Sequence, residues 1–145
     1  MQAINPLTPP APKRILITED DESVRQTIKL MLMADQYAVT EAQTGEEALD
    51  LLQREKFDLV ITDFDMPGLK GNELAVKIKE QLPAQLILMI TAYARRLGDS
   101  DNPVDALLAK PFRFQALREV MAKLLARLAG PSRAVSPDPM QASNC

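Results

Sequence analysis

Histidine and tryptophan are missing from the 145 residues altogether, and cysteine occurs once. Without histidine there is no Ser–His or Cys–His catalytic pair, no His-based zinc site and no phosphohistidine carrier. The single cysteine, Cys145, is the last residue, which excludes an intramolecular disulfide and a cysteine metal cluster and suits the reducing cytoplasm. A surplus of base is missing too. The 17 Lys and Arg against 20 Asp and Glu leave a net charge of −3, whereas phosphate-backbone binding needs a basic face, so no direct nucleic-acid partner is expected. No apolar run approaches the ~18–20 residues that span a bilayer. The longest, Leu86 to Ile90, is strand-sized, and Met1 to Pro12 lacks the basic start and apolar centre of a signal peptide, so no membrane is expected.

Hydrophobic residues at 46% suffice for a core, and the length suits one domain. Prolines mark its edges: Pro6, Pro9, Pro10 and Pro12 precede it, and Pro131, Pro137 and Pro139 follow Gly130. Both ends lack hydrophobic periodicity. The expected organisation is a flexible arm at 1–12, a domain at 13–129 carrying the whole net charge, and a flexible tail at 130–145. Such a tail is too short to bury an output domain of its own, so the expectation is a protein acting through its one domain.

Within the domain, short β-branched runs alternate with helical spacing. Arg14 to Thr18, Phe57 to Thr62 and Leu86 to Thr91 have the continuous apolar character of buried parallel strands, with weaker strands at Tyr37 to Ala42 and Val104 to Ala109. Val24, Ile28, Met31 and Leu32 mark a helix, and Thr44 to Glu47 is a capping box before Ala48, Leu51 and Leu52. Leu74, Ile78 and Leu82 mark another, and Phe114, Leu117, Met121, Leu124 and Leu128 a long last one. This is β–α repeated five times: an α/β fold with an open parallel five-stranded sheet covered by helices on both faces. The fourth helix is expected to be short or irregular. Gly98, Asp99, Ser100, Asp101, Asn102 and Pro103 crowd its middle, where glycine costs ~1 and proline ~3 kcal/mol.

Open sheets of this kind bind ligands at the carboxyl ends of their strands. There the first strand runs into Glu19-Asp20-Asp21-Glu22, with Asp21 or Glu22 suited to cap the next helix. The third ends in Thr62-Asp63-Phe64-Asp65, the fourth at Thr91, and the fifth at Lys110-Pro111. Carboxylates from two neighbouring strands repel by roughly 4 kcal/mol at ~4 Å and an effective dielectric near 20. Such a cluster calls for a cation, and an oxygen-only ligand set favours Mg²⁺. Glu19, Asp20 and Asp63 balance Mg²⁺ plus Lys110, which suits a site that admits a phosphoryl group. Asp63 is the best nucleophile, since a carboxylate forms an acyl phosphate without a general base, and Thr91 offers a hydroxyl to a phosphoryl oxygen.

These residues resemble the receiver domain of two-component response regulators, of the chemotaxis-regulator-like single-domain type. ILITEDDESVR at 15–25, DLVITDFDMPGLKGNEL at 58–74, LMITAYA at 88–94 and LLAKPF at 107–112 carry the likeness, in matching order. The resemblance implies a (βα)5 flavodoxin-like fold, Mg²⁺ dependence, and phosphorylation of Asp63 by a sensor histidine kinase or a histidine phosphotransfer protein. By the same resemblance Glu19 and Asp20 hold the metal with Asp63 and the backbone carbonyl of Asp65, whose side chain faces the site. Thr91 is the switch hydroxyl, Lys110 pairs with the phosphoryl group, and the Lys110–Pro111 bond is cis. Pro67-Gly68 and Gly71 match the turn after the third strand, where backbone freedom is needed. Output would pass to an unknown downstream protein or along a phosphorelay, with room for a weak homodimer.

There are two departures from the family pattern. Leu107 stands where the family usually has an aromatic switch residue, and Tyr93 is not placed to replace it. The segment between Thr91 and Lys110 is also shorter than usual. Other readings remain at this point. Asp63 and Asp65 resemble the DxD loop of a haloacid-dehalogenase-type phosphatase, although that family's last acidic pair follows its lysine and here Glu19-Asp20 come first. A pseudo-receiver that binds partners without phosphorylation is a third reading. The leading expectation is a stoichiometric phosphoacceptor rather than an enzyme.

Overall fold

The alternation of five apolar runs with amphipathic stretches is realised as one parallel sheet between two helical layers. The structure, a computed structural model, describes residues 11–92 and 103–133. Its strands are β1 (Arg14–Thr18), β2 (Ala38–Ala42), β3 (Leu59–Asp63), β4 (Ile87–Thr91) and β5 (Ala106–Ala109), in the order β2-β1-β3-β4-β5. Every pairing is parallel. The described helices are α1 (Glu22–Ala34), α2 (Gly45–Arg54), α3 (Gly71–Gln81) and α4 (Phe114–Arg133), the last following β5.

Side chains of a strand alternate between the two faces of its sheet, and here both faces are buried. Ile15 and Ile17 of β1 join Ile28, Met31 and Leu32 of α1 and Leu117, Met121 and Leu124 of α4 in one core. Leu16, between them in sequence, joins Ala48 and Leu52 of α2 and Leu74, Ala75 and Ile78 of α3 in the other. Thus α1 and α4 cover one face, and α2 and α3 the other. β3 and β4 lie within the sheet and are buried at every position, which explains their unbroken apolar run.

Helix starts follow their caps. The Asp21 carboxylate accepts from the Val24 amide at 3.2 Å, and the Thr44 hydroxyl accepts from the Glu47 amide at 3.0 Å. One sequence expectation meets a different outcome. The capping glutamate reaches Gln43 N–H at 2.8 Å, one residue before the cap. α4 itself runs through Gly130 and Pro131 to Arg133. The fourth helix expected between β4 and β5 falls at 93–102, as does Tyr93, and lies outside the described residues.

The sheet order fixes where chemistry can happen. Thr18 of β1 is level with Thr62 of β3, so the residues that follow them, Glu19 and Asp63, leave the same edge side by side. Order also reverses there: β1 connects through α1 outward to β2, and β3 connects through α3 to β4 on the other side. That crevice is the topological switch point of an open sheet.

Candidate functional site

Five of the six residues singled out from the sequence line one pocket of about 260 Å³ at this edge: Glu19, Asp20, Asp63, Asp65 and Lys110, beside Asp21, Val24 and Ala92. One carboxylate oxygen each from Glu19, Asp20 and Asp63 can be chosen so that all three lie within 4.8 Å of one another. Glu19 and Asp63 are buried, while Asp20 faces solvent. Lys110 comes from the end of β5, its N–H donating to the Thr91 carbonyl at 2.9 Å, and the Lys110–Pro111 peptide is cis. The ammonium lies 3.0 Å from Asp63 Oδ1 and 3.7 Å from Glu19 Oε1.

Thr91, the sixth, is buried at the end of β4, immediately before Ala92, and is not among the residues lining this pocket. Leu107 is half-buried in β5, paired with Met89. Asp65 sits on the exposed rim with its carboxylate 3.2 Å from Lys70 Nζ.

Electrostatics in the pocket are frustrated. Burial, and then the neighbouring Asp63 charge, push the Glu19 carboxyl up to about 7. Burial would also lower the Lys110 ammonium, but its hydrogen bond to Asp63 and the attraction of Asp63, Glu19 and Asp20 outweigh that and hold it above its usual value. One amine therefore does not neutralise the three acids, and Glu19 tends to keep a proton. A hard cation held by oxygen donors would relieve this, and the donor set fits Mg²⁺.

The backbone beneath Asp63 is as specific as its side chain. Gly71 N–H donates to the Phe64 carbonyl at 2.9 Å, and a β-carbon on Gly71 would come within 2.3 Å of the Asp63 carbonyl oxygen. Gly71 is thus required for close approach of α3 to the end of β3. The positive φ in this turn belongs to Gly68, at 74°. Sequence reasoning gave both glycines the same role, because spacing alone does not separate a turn from a contact. It read Asp21 as a helix cap and not as the N–H donor to Glu19 Oε2 at 3.2 Å, and it overlooked the buried Arg25, which holds the Glu19 carbonyl. Arg25 sits inside the helical pattern of α1 and reads there as an ordinary charged residue.

The family model described as the response regulator receiver domain matches residues 15–122. The response regulator receiver protein CpdR of Brucella abortus is 40% identical over 116 residues, spanning 78% of this chain and 97% of that protein. The response regulator MprA of Mycobacterium sp. (strain KMS) is 35% identical over 130 residues, but those cover 88% of this chain and only 54% of MprA, so the chain spans about half the length of that relative. Among solved structures, the response regulator TrrA of Thermotoga maritima, in complex with Mg(2+)-BeF, superposes with a TM-score of 0.73 at 35% identity, covering 77% of this chain and 98% of TrrA. No helix among the described residues is long and apolar enough to cross a membrane. With its parallel (βα) sheet, its acidic pocket at the switch point and a family match over most of its length, this chain belongs to the response regulator receiver domain family of two-component systems.

Proposed function

We propose that this chain is the phosphoacceptor switch of a two-component phosphorelay, working in the cytoplasm and phosphorylated on Asp63. The donor is a phosphohistidine on a sensor histidine kinase or a histidine phosphotransfer protein. A carboxylate oxygen of Asp63 attacks phosphorus, the phosphorus–nitrogen bond breaks, and its electron pair leaves with the imidazole. The product is an aspartyl phosphate, formed once per chain. The protein is a stoichiometric acceptor rather than a turnover enzyme. The phosphorylated form offers a changed surface to a downstream protein or passes its phosphoryl group onward.

The observation that carries this reading is the buried Asp63 carboxylate at the end of a central strand, 3.0 Å from Lys110 and clustered with Glu19 and Asp20. Glu19, Asp20, Asp63 and the Asp65 backbone carbonyl would hold Mg²⁺, which when bound supplies positive charge for the phosphoryl oxygens. Lys110 orients the Asp63 carboxylate before transfer and offers its ammonium to a phosphoryl oxygen afterwards. The buried Thr91 hydroxyl, at the end of the neighbouring strand, supplies the donor whose movement toward the phosphoryl group signals the change. Because residue 107 is leucine, the response travels through Thr91 and the adjoining loop without an inward-swinging aromatic ring. That TrrA forms a Mg(2+)-BeF complex supports the same chemistry here.

Mass spectrometry after treatment with acetyl phosphate and Mg²⁺ tests the reading. One phosphoryl group per chain is expected, localised to Asp63 and absent from Asp63→Ala. Label retained in Asp63→Ala, or hydrolysis of acetyl phosphate far beyond one equivalent without labelled protein, would refute it.

A further inference from the structure

Arg25 is one of the few charged side chains in the described core, with the residue only 5% exposed. A buried guanidinium is costly unless its donors are satisfied. Its Nη1 donates to the Glu19 backbone carbonyl at 2.9 Å, and its Nε to Glu41 Oε1 of β2 at 3.0 Å. Glu41 is itself gripped by Gln26 at 3.0 Å and by Lys29 at 2.8 Å. Glu19 N–H donates to the Ala42 carbonyl at 3.1 Å. Both polar groups of the Glu19 backbone are therefore tied: the amide to β2 directly, the carbonyl to β2 through Arg25 and Glu41.

Glu19 and Asp20 lie between the end of β1 and the start of α1, where the bond from Glu19 N–H to the Ala42 carbonyl is the last to β2. The direction in which their carboxylates leave depends on the backbone at these two positions, which these ties restrain together with the Asp21 N–H that holds Glu19 Oε2 at 3.2 Å. We propose that Arg25 is a positioning residue of the metal site. It fixes the Glu19–Asp20 backbone so that both carboxylates face Asp63, with Glu41 as its counter-ion and anchor. The inference rests on the proposed Mg²⁺-dependent acceptor role and adds a residue that never touches metal or phosphoryl group.

Charge and position make opposite demands, which renders the idea testable. As a mere positive charge near the site, Arg25 would oppose a divalent cation, and its removal would leave Mg²⁺ binding unchanged or tighter. As a positioning residue, its removal weakens binding, by roughly tenfold or more if it acts as outer-shell partners of metal ligands do. The experiment is a Mg²⁺ titration of the full chain followed by amide NMR shifts, with thermal unfolding in chelator recorded alongside. Wild type, Arg25→Gln, Lys29→Gln and Glu41→Gln are compared. Lys29→Gln removes a positive charge and a Glu41 contact but leaves the Glu19 carbonyl bond in place, so wild-type affinity is expected.

Weaker Mg²⁺ binding by Arg25→Gln, with Lys29→Gln unaffected, supports the assignment. Unchanged or tighter binding by a folded Arg25→Gln overturns it, and lower stability alone then marks a purely structural arginine. Should Arg25→Gln not fold, Glu41→Gln decides in the same way, because it leaves the guanidinium in place without its counter-charge, held there by no more than a neutral amide oxygen. Failure of the wild type to bind Mg²⁺ would instead refute the acceptor reading and this assignment with it.

Discussion

Lys110 competes with any metal for the same two carboxylates, lying 3.0 Å from Asp63 and 3.7 Å from Glu19. Its removal therefore separates holding the ion from answering the phosphoryl group. Lys110→Ala is expected to bind Mg²⁺ at least as tightly as wild type, since a nearby positive charge is gone. It should also lose the spectral change that beryllofluoride, an acyl-phosphate mimic, induces around Asp63 and Thr91. A Mg²⁺ titration and an NMR comparison with beryllofluoride check both halves; weakened metal binding would show that the amine organises the acids rather than competing with them. At this scale the acids and the lysine were legible in the sequence, because helix capping explains one acidic run after a strand but not carboxylates and a lysine gathered at several strand ends. Arg25 was not. A helical arginine is normally solvated, and nothing in spacing says that Glu41, on another element, will meet it in the interior.

Strand existence and direction could be read from continuous apolar runs, and β1 has the bounds that its sequence suggests, Arg14–Thr18. What could not be read was how closely one element approaches another. Gly71 opens α3 with its Cα pressed onto the end of β3: an added β-carbon would meet Asp63 O at 2.3 Å and Phe64 Cα at 2.7 Å, both backbone atoms that cannot rotate away. Gly71→Ala should thus push α3 from the sheet or shift Asp63. The expected cost is about 2 kcal/mol, typical of overpacking. A chemical-denaturation midpoint and the rate of labelling by acetyl phosphate measure it, and both should fall. Gly68→Ala is a useful contrast: its φ of 74° makes alanine strained, yet the nearest atom to an added β-carbon is a flexible Glu46 oxygen at 3.8 Å. Stability should drop there while labelling per folded molecule stays intact. At the start of α1, Asp21→Ala should cost about 1 kcal/mol through loss of the cap to Val24.

For the molecule as a whole, the acidic pocket couples folding to pH and to metal. Glu19 titrates near 7 in the folded, metal-free chain, because burial and Asp63 disfavour its charge, against 4.5 as an ordinary glutamate. Below pH 4.5 the group is protonated in both states and places no burden on folding. Between 4.5 and about 7 the unfolded chain releases this proton while the folded one keeps it, so the unfolded state binds fewer protons and stability falls as pH rises. Above about 7 both states are ionised and this contribution is flat, at its least favourable. Mg²⁺ bound at the proposed site should reverse the trend: it would bind the ionised carboxylates of the folded state, and its stabilisation would grow as the Glu19 proton is easier to displace, reaching about 2.7 kcal/mol at a hundredfold excess over Kd. Thermal unfolding from pH 5 to 8, with chelator and with saturating Mg²⁺, should therefore give two curves that diverge with pH. Glu19→Gln should remove the decline in chelator and most of the gain from the metal. Parallel curves for the wild type, or a divergence that survives in Glu19→Gln, would mean that the pocket's charge is balanced by some group other than the ion inferred from its carboxylates.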